Sequence, residues 1–195
     1  MIRRPSALAP FLVPALLVAQ APIAVERFTR PGPVAGVVAR VNLRDPRVAV
    51  KVLLSQPGGD AKDCVGRLQT PSAVARAQDL ALTLNASYFR AEPVVERHQP
   101  YVVGNCGVPV GWHVSEGVTR TRPTDPRMKA TLLVRASGQV SLHAALEALP
   151  SDAAFAVSGS AMVLNGGVVM APGRDAVRHP RSCVGIDQAG TTLFL

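Results

Sequence analysis

Arg181 is the residue in this chain best suited to hold a negatively charged ester. It follows His179 and Pro180 in the stretch RHPRSCVGIDQAGTTLFL, residues 178–195. A guanidinium offers a planar fork of donors that matches phosphate oxygens and stays charged at any ordinary pH. Pro180 fixes the backbone just before it, which aims the side chain at the entrance of the apolar run that follows. The competing role is a structural pairing with a buried carboxylate.

Asn85 ends the apolar run LALTLN and could hydrogen-bond a ligand or hold the loop after it. Tyr88 and Phe89 offer aromatic faces, Phe89 being the better core residue. Ser158, Gly159 and Ser160 form a small-residue stretch that lets backbone approach a ligand closely. Asn165 and Gly166 read either as binding residues or as simple turn chemistry. Asp187 opens a turn and suits capping. Glu92, Glu96 and Asp125 lie in a long loop without an assignable partner, so no acid–base carboxylate pair is visible. The four histidines, His98, His113, His143 and His179, are widely scattered. No phosphate-binding glycine loop, nucleophile elbow or metal-type His/Cys spacing occurs. A metal requirement stays unknown and no cofactor is expected.

The three cysteines divide into a pair and a single. Cys64 and Cys106 lie in Gly-rich, loop-like surroundings and are expected to form a disulfide. Cys183 sits in the apolar run SCVGI and reads as a small buried hydrophobe rather than a nucleophile.

These residues must be positioned by short elements. The runs VAGVVARVNL and RVAVKVLL predict two strands with an Asp45-Pro46 turn between them. Thr70 and Pro71 open a helix. The run LALTLNASYF predicts a buried strand, and residues 90–126 a long turn-rich segment. MKATLLVRA, a Ser137-Gly138 turn and VSLH form a hairpin, and AALEALP a short helix. AFAVSGSAMVLNGGVVM predicts a strand, a break and a hairpin around an Asn165-Gly166 turn. SCVGID and TTLFL, joined at Gln188-Ala189-Gly190, form the last hairpin. The expected fold class is α+β: one strand-rich domain with a few short helices.

Arg3 and Arg4 precede an apolar stretch, residues 7–19, and a small-x-small pattern, Ala19-Gln20-Ala21. Residues 1–21 therefore read as a signal peptide and residues 22–195 as the mature domain, placed in the periplasm or secreted. An uncleaved anchor is the competing reading, but Pro10 and Pro14 interrupt the stretch, which barely reaches the span of about 20 residues a membrane needs. No stable membrane span is expected after cleavage. Loss of the leader's two arginines lowers the net charge from +8 to +6. A basic exported surface favours anionic glycans, phosphate esters or lipid headgroups. Nucleic acid is not expected as a partner, since basic runs and aromatic–basic alternation are missing.

Three stretches, taken in order, resemble the phosphodiester glycosidase family, which includes exopolysaccharide-related bacterial proteins. They are LTLNASYF, VSGSAMVLNGG and HPRSCVGIDQAGTTLFL. Ser87 and Tyr88 stand where the family more often has Gly and Phe. The resemblance implies cleavage between a sugar's anomeric carbon and a phosphate oxygen, with a glycan or sugar phosphate as substrate. On that basis Arg181 and Asn85 are the expected catalytic residues, and Tyr88, Ser158, Gly159 and Asn165 the expected substrate-binding ones. The family continues beyond the last strand with further acidic and glycine-rich segments, so the chain reads as truncated, its C-terminal part missing and its activity impaired. Its final strand is then expected to lack a neighbour and expose unpaired backbone groups. A non-catalytic envelope protein that binds anionic polysaccharide is the alternative. Sugar identity and oligomeric state are not legible.

Overall fold

The computed structural model describes residues 21–31, 34–54, 56, 64–92, 102–170 and 181–195. The expected leader, apart from its last residue, lies outside them, as do Glu96, His98, His179 and Pro180. In chain order the elements are β1 (Ile23–Arg30), β2 (Val34–Asn42), β3 (Gly66–Arg67), α1 (Pro71–Ala77), β4 (Phe89–Glu92), β5 (Cys106–Pro109), β6 (His113–Ser115) and β7 (Val118–Thr121). They continue with β8 (Ala130–Arg135), β9 (Val140–His143), β10 (Ala153–Gly159), β11 (Leu164–Asn165), β12 (Val168–Val169), β13 (Gly185–Ile186) and β14 (Thr192–Phe194).

The architecture is mostly β, with one short helix among the described residues. The strand-rich character of the expected α+β domain holds, with one short helix among the described residues where a few were expected. Residues 144–150 form no helix; seven residues are too few to sustain one without strong tertiary support. Residues 47–54 and 80–88 carry no ladder pairing, where strands were expected. The turn-rich segment from Arg90 to Pro126 contains most of β4 and all of β5, β6 and β7.

Two sheets carry the core. The first has the order β1-β2-β14-β13, and the second, five-stranded, β7-β6-β10-β8-β9. Along β8 every residue from Ala130 to Val134 is buried, as expected of a strand covered on both faces. Leu132 and Val134 point to one side, where they join Val41, Val140, Val157 and Leu193. Leu133, fully enclosed, points to the other and meets Trp112, Val114 and Ala156.

The last strand is not left without neighbours. β14 runs between β2 and β13, with Leu193 opposite both Val41 and Ile186. Leu195 exchanges backbone hydrogen bonds with Ala39 at 2.8 and 3.0 Å. Burying Leu193, 1% exposed, explains why this strand takes the centre of its sheet.

Candidate functional site

Two of the expected site segments meet. The Ser182 hydroxyl donates to Asn85 Oδ1 at 3.1 Å, across 97 positions of sequence. This bond sets the residue following Arg181 against Asn85. Each segment is anchored in the core a few residues away, one by Leu82 and the other by Val184 and Ile186. Asn85, Arg181 and Ser182 are all exposed. The Asn85 segment is also tied to α1, through the Thr83 hydroxyl, which donates to the Pro71 carbonyl at 3.3 Å. The helix starts where expected: Thr70 caps it by accepting from Ala73 N, and Pro71 occupies the first turn.

Tyr88, half exposed, lies three residues beyond Asn85. Before it Ser87 adopts φ +69°, a left-handed conformation that disfavours a Cβ by about 1–2 kcal/mol. The Ser87 hydroxyl donates to the Tyr88 carbonyl at 3.0 Å. The preference of the resembling family for Gly at this position has its physical reason in that backbone angle.

A chain of backbone contacts links Tyr88 to Ser158. Val110 N donates to the Tyr88 carbonyl at 3.0 Å, and Ser158 N to the Trp112 carbonyl at 3.0 Å. Between them, Gly111 passes so close to β10 that a Cβ there would lie 2.4 Å from Ser158 Cβ. The Ser158 hydroxyl is 1% exposed with its residue, accepts from Trp112 N at 2.9 Å and meets Thr131 Oγ1 at 3.2 Å. Its side chain is thereby committed to the fold. Gly159 differs: it is half-buried, and a Cβ added there would meet nothing within 4 Å.

Asn165 is not brought to these groups through strand pairing; it pairs with Val168 in the two-stranded ribbon β11–β12. The turn is displaced by one residue from the expected Asn165-Gly166. Gly166 and Gly167, at φ +56° and +83°, are its central pair, as a type I′ turn requires.

The cysteines behave in two ways. Cys64 and Cys106 form the expected disulfide, fixing the approach to β3 against the start of β5. Cys183 is exposed rather than buried, because β13 begins only at Gly185 and leaves it outside the ladder. The disulfide fits an oxidising compartment. Among the described residues no helix is long and apolar enough to cross a membrane.

Several acids are removed from the list of free candidates. Asp125 accepts from Arg127 N at 2.9 Å and receives its guanidinium fork; this pairing holds the carboxyl at about 2. Asp45 and Arg47 repeat the arrangement, also on an Asp-Pro-Arg sequence. Asp187 accepts from the backbone of Thr192 and Thr191, at 3.0 and 2.6 Å, and is likewise held at about 2. It buckles the last hairpin, as its turn position suggested. Among the described residues no cluster of three or more His, Cys, Asp or Glu could hold a metal.

Sequence reasoning did not single out Trp112. Its ring is enclosed, its indole N–H donates to the Leu146 carbonyl at 2.9 Å, and the Arg122 guanidinium lies 5.4 Å from its centroid. A surface cleft of about 440 Å³ opens beside it, lined also by Met128, Lys129 and Glu147.

The order of these motifs along the chain is matched by a known family. The family model described as phosphodiester glycosidase matches residues 80–195. The chain belongs to the phosphodiester glycosidase family. The match begins just before Asn85 and runs through Arg181 to Leu195, so it takes in all the expected catalytic and substrate-binding residues and the whole five-stranded sheet. Strands β1 and β2, which complete the sheet around β14, precede it. No curated protein matches the chain.

Proposed function

We propose that the protein is an exported hydrolase of the phosphodiester glycosidase type, acting on a sugar 1-phosphodiester or related glycan of the cell envelope. The observation that carries this reading is the Ser182–Asn85 hydrogen bond, which sets the residue beside Arg181 against the end of the Asn85 segment. Arg181 holds the phosphate, whose negative charge grows as the bond to the anomeric carbon breaks. A phosphate ester leaves readily, so charge complementarity matters more here than strong general-acid help. Asn85 orients a sugar hydroxyl, Tyr88 supplies an apolar face for the ring, and Gly159 allows close approach of backbone. Water then completes hydrolysis at the oxocarbenium-like centre. The disulfide and the basic charge support action outside the cytoplasm.

The test is release of reducing sugar from a sugar 1-phosphodiester by the full chain and by Arg181→Ala. Loss of a charge-assisted donor that acts in the transition state is expected to lower the rate by about 100-fold or more, with thermal unfolding followed alongside to separate any loss of fold. Equal rates remove Arg181 from this role.

A further inference from the structure

We propose a second anion-binding site, in the cleft between the β4–β5 pair and β7, that takes the phosphoryl group of a phosphorylated saccharide. The cleft has a volume of about 360 Å³ and is lined by Arg90, Arg120 and Arg122, with Thr119 and Thr124 beside them and Val108 below. It does not rest on the role of Arg181.

Three observations converge. First, the three guanidiniums belong to separate positions that the fold gathers. Arg90 comes from β4, opposite Val108 of β5, and Arg120 from β7, with Arg122 just past its end. The pairing of β6 with β7 slips at one place: Val114 faces Thr119 and His113 faces Thr121. Arg120 is therefore the extra residue of a β-bulge, a device that re-aims a side chain. Second, none of the three has a carboxylate partner among the described residues, whereas Arg40, Arg47, Arg127 and Arg135 each have one. Three cations without a carboxylate partner among the described residues, set around one concave wall, repel one another and attract an anion. Third, the polar lining is rich in donors, which suits phosphate oxygens. The Thr121 hydroxyl is spent on the Gly111 carbonyl at 2.7 Å, which holds the bulged strand in place.

Size and shape select the ligand. The volume lies at the small end of ligand sites, which run from about 300 to 1,000 Å³, and has room for one phosphorylated sugar unit. A concave arginine-lined wall suits a compact oxyanion better than a flat membrane surface.

The experiment is calorimetric titration of the full chain at low salt with inorganic phosphate and with glucose 6-phosphate. Saturable binding that weakens as salt rises is expected. The triple variant R90Q/R120Q/R122Q should bind at least about tenfold more weakly, since each charged hydrogen bond lost carries roughly that factor. R90K/R120K/R122K, which keeps the charge and the aliphatic stems, should fall between the two and guards against a fold defect. R27Q/R30Q/R44Q, an equal charge change on exposed residues elsewhere, should leave the affinity unchanged. An unaltered affinity in R90Q/R120Q/R122Q overturns the proposal, as does equal weakening in R27Q/R30Q/R44Q. Loss in R181A alone moves the anion to the other site. Binding to phosphatidylglycerol vesicles, with none to either phosphate probe, overturns it in favour of a membrane surface.

Discussion

Lowering the pH from 7 to 4.5 is expected to weaken the fold chiefly through one imidazole. His113 is 5% exposed, lies on β6 between Thr121 of β7 and Val157 of β10, and neither ring nitrogen has a hydrogen-bond partner among the described residues. Burial, and secondarily the charge of Arg120, holds its pKa at about 4, against an ordinary 6.5. Below pH 6.5 the unfolded chain takes up a proton there, while the folded chain stays neutral until about pH 4. Stability therefore falls as pH drops through that window. The slope is about 1.4 kcal/mol per pH unit, so the whole window is worth about 3 kcal/mol. Asp45, Asp125 and Asp187, held at about 2, lose their contributions only below this range. Urea unfolding at a series of pH values, on the full chain and on His113→Leu, isolates the effect. The variant should keep a flatter profile between pH 6.5 and 4.5. It should also be no less stable at pH 7, because an apolar side chain replaces a buried ring with unmet polar atoms. Parallel profiles for the two proteins would refute the reasoning.

Two further outcomes concern the frame around the site. Reducing the Cys64–Cys106 bond, which closes a separation of 42 residues, should cost about 4 kcal/mol by the chain-entropy relation, measured as a shift in urea midpoint with and without reductant. Ser158→Ala strands the buried Trp112 N–H and should cost about 1–3 kcal/mol in the same assay; a cost near zero means that the amide has another acceptor.

What could be read from sequence was what local chemistry determines. The Thr70-Pro71 cap, the Ser137-Gly138 hairpin and the Asp187–Gly190 turn depend on a few adjacent residues, and all three form. Strand identity at residues 47–54 was not determined locally. Val48, Val50 and Val52 alternate as a strand would and do pack into the core, yet no neighbour among the described residues supplies a ladder. The reverse holds between Arg90 and Pro126, where β5 pairs with the distant β3 and β6 with the distant β10. In the candidate site, Asn85 and the segment starting at Arg181 were both visible, and the structure adds the Ser182 bridge between them. Ser158 was visible too, and the structure adds that a small residue there serves the tight crossing at Gly111. The convergence of Arg90 with Arg120 had no sequence signal, because it arises from a bulge and a long-range pairing.

The chain contains a single tryptophan, and that indole lies beneath Arg122, a residue shared by both clefts. Its fluorescence thus comes from one environment, free of overlapping emitters of the same kind. Any solute that draws the Arg122 cation off the ring alters the local field on the excited state. The protein therefore carries an intrinsic optical gauge of occupancy, readable without attaching a dye.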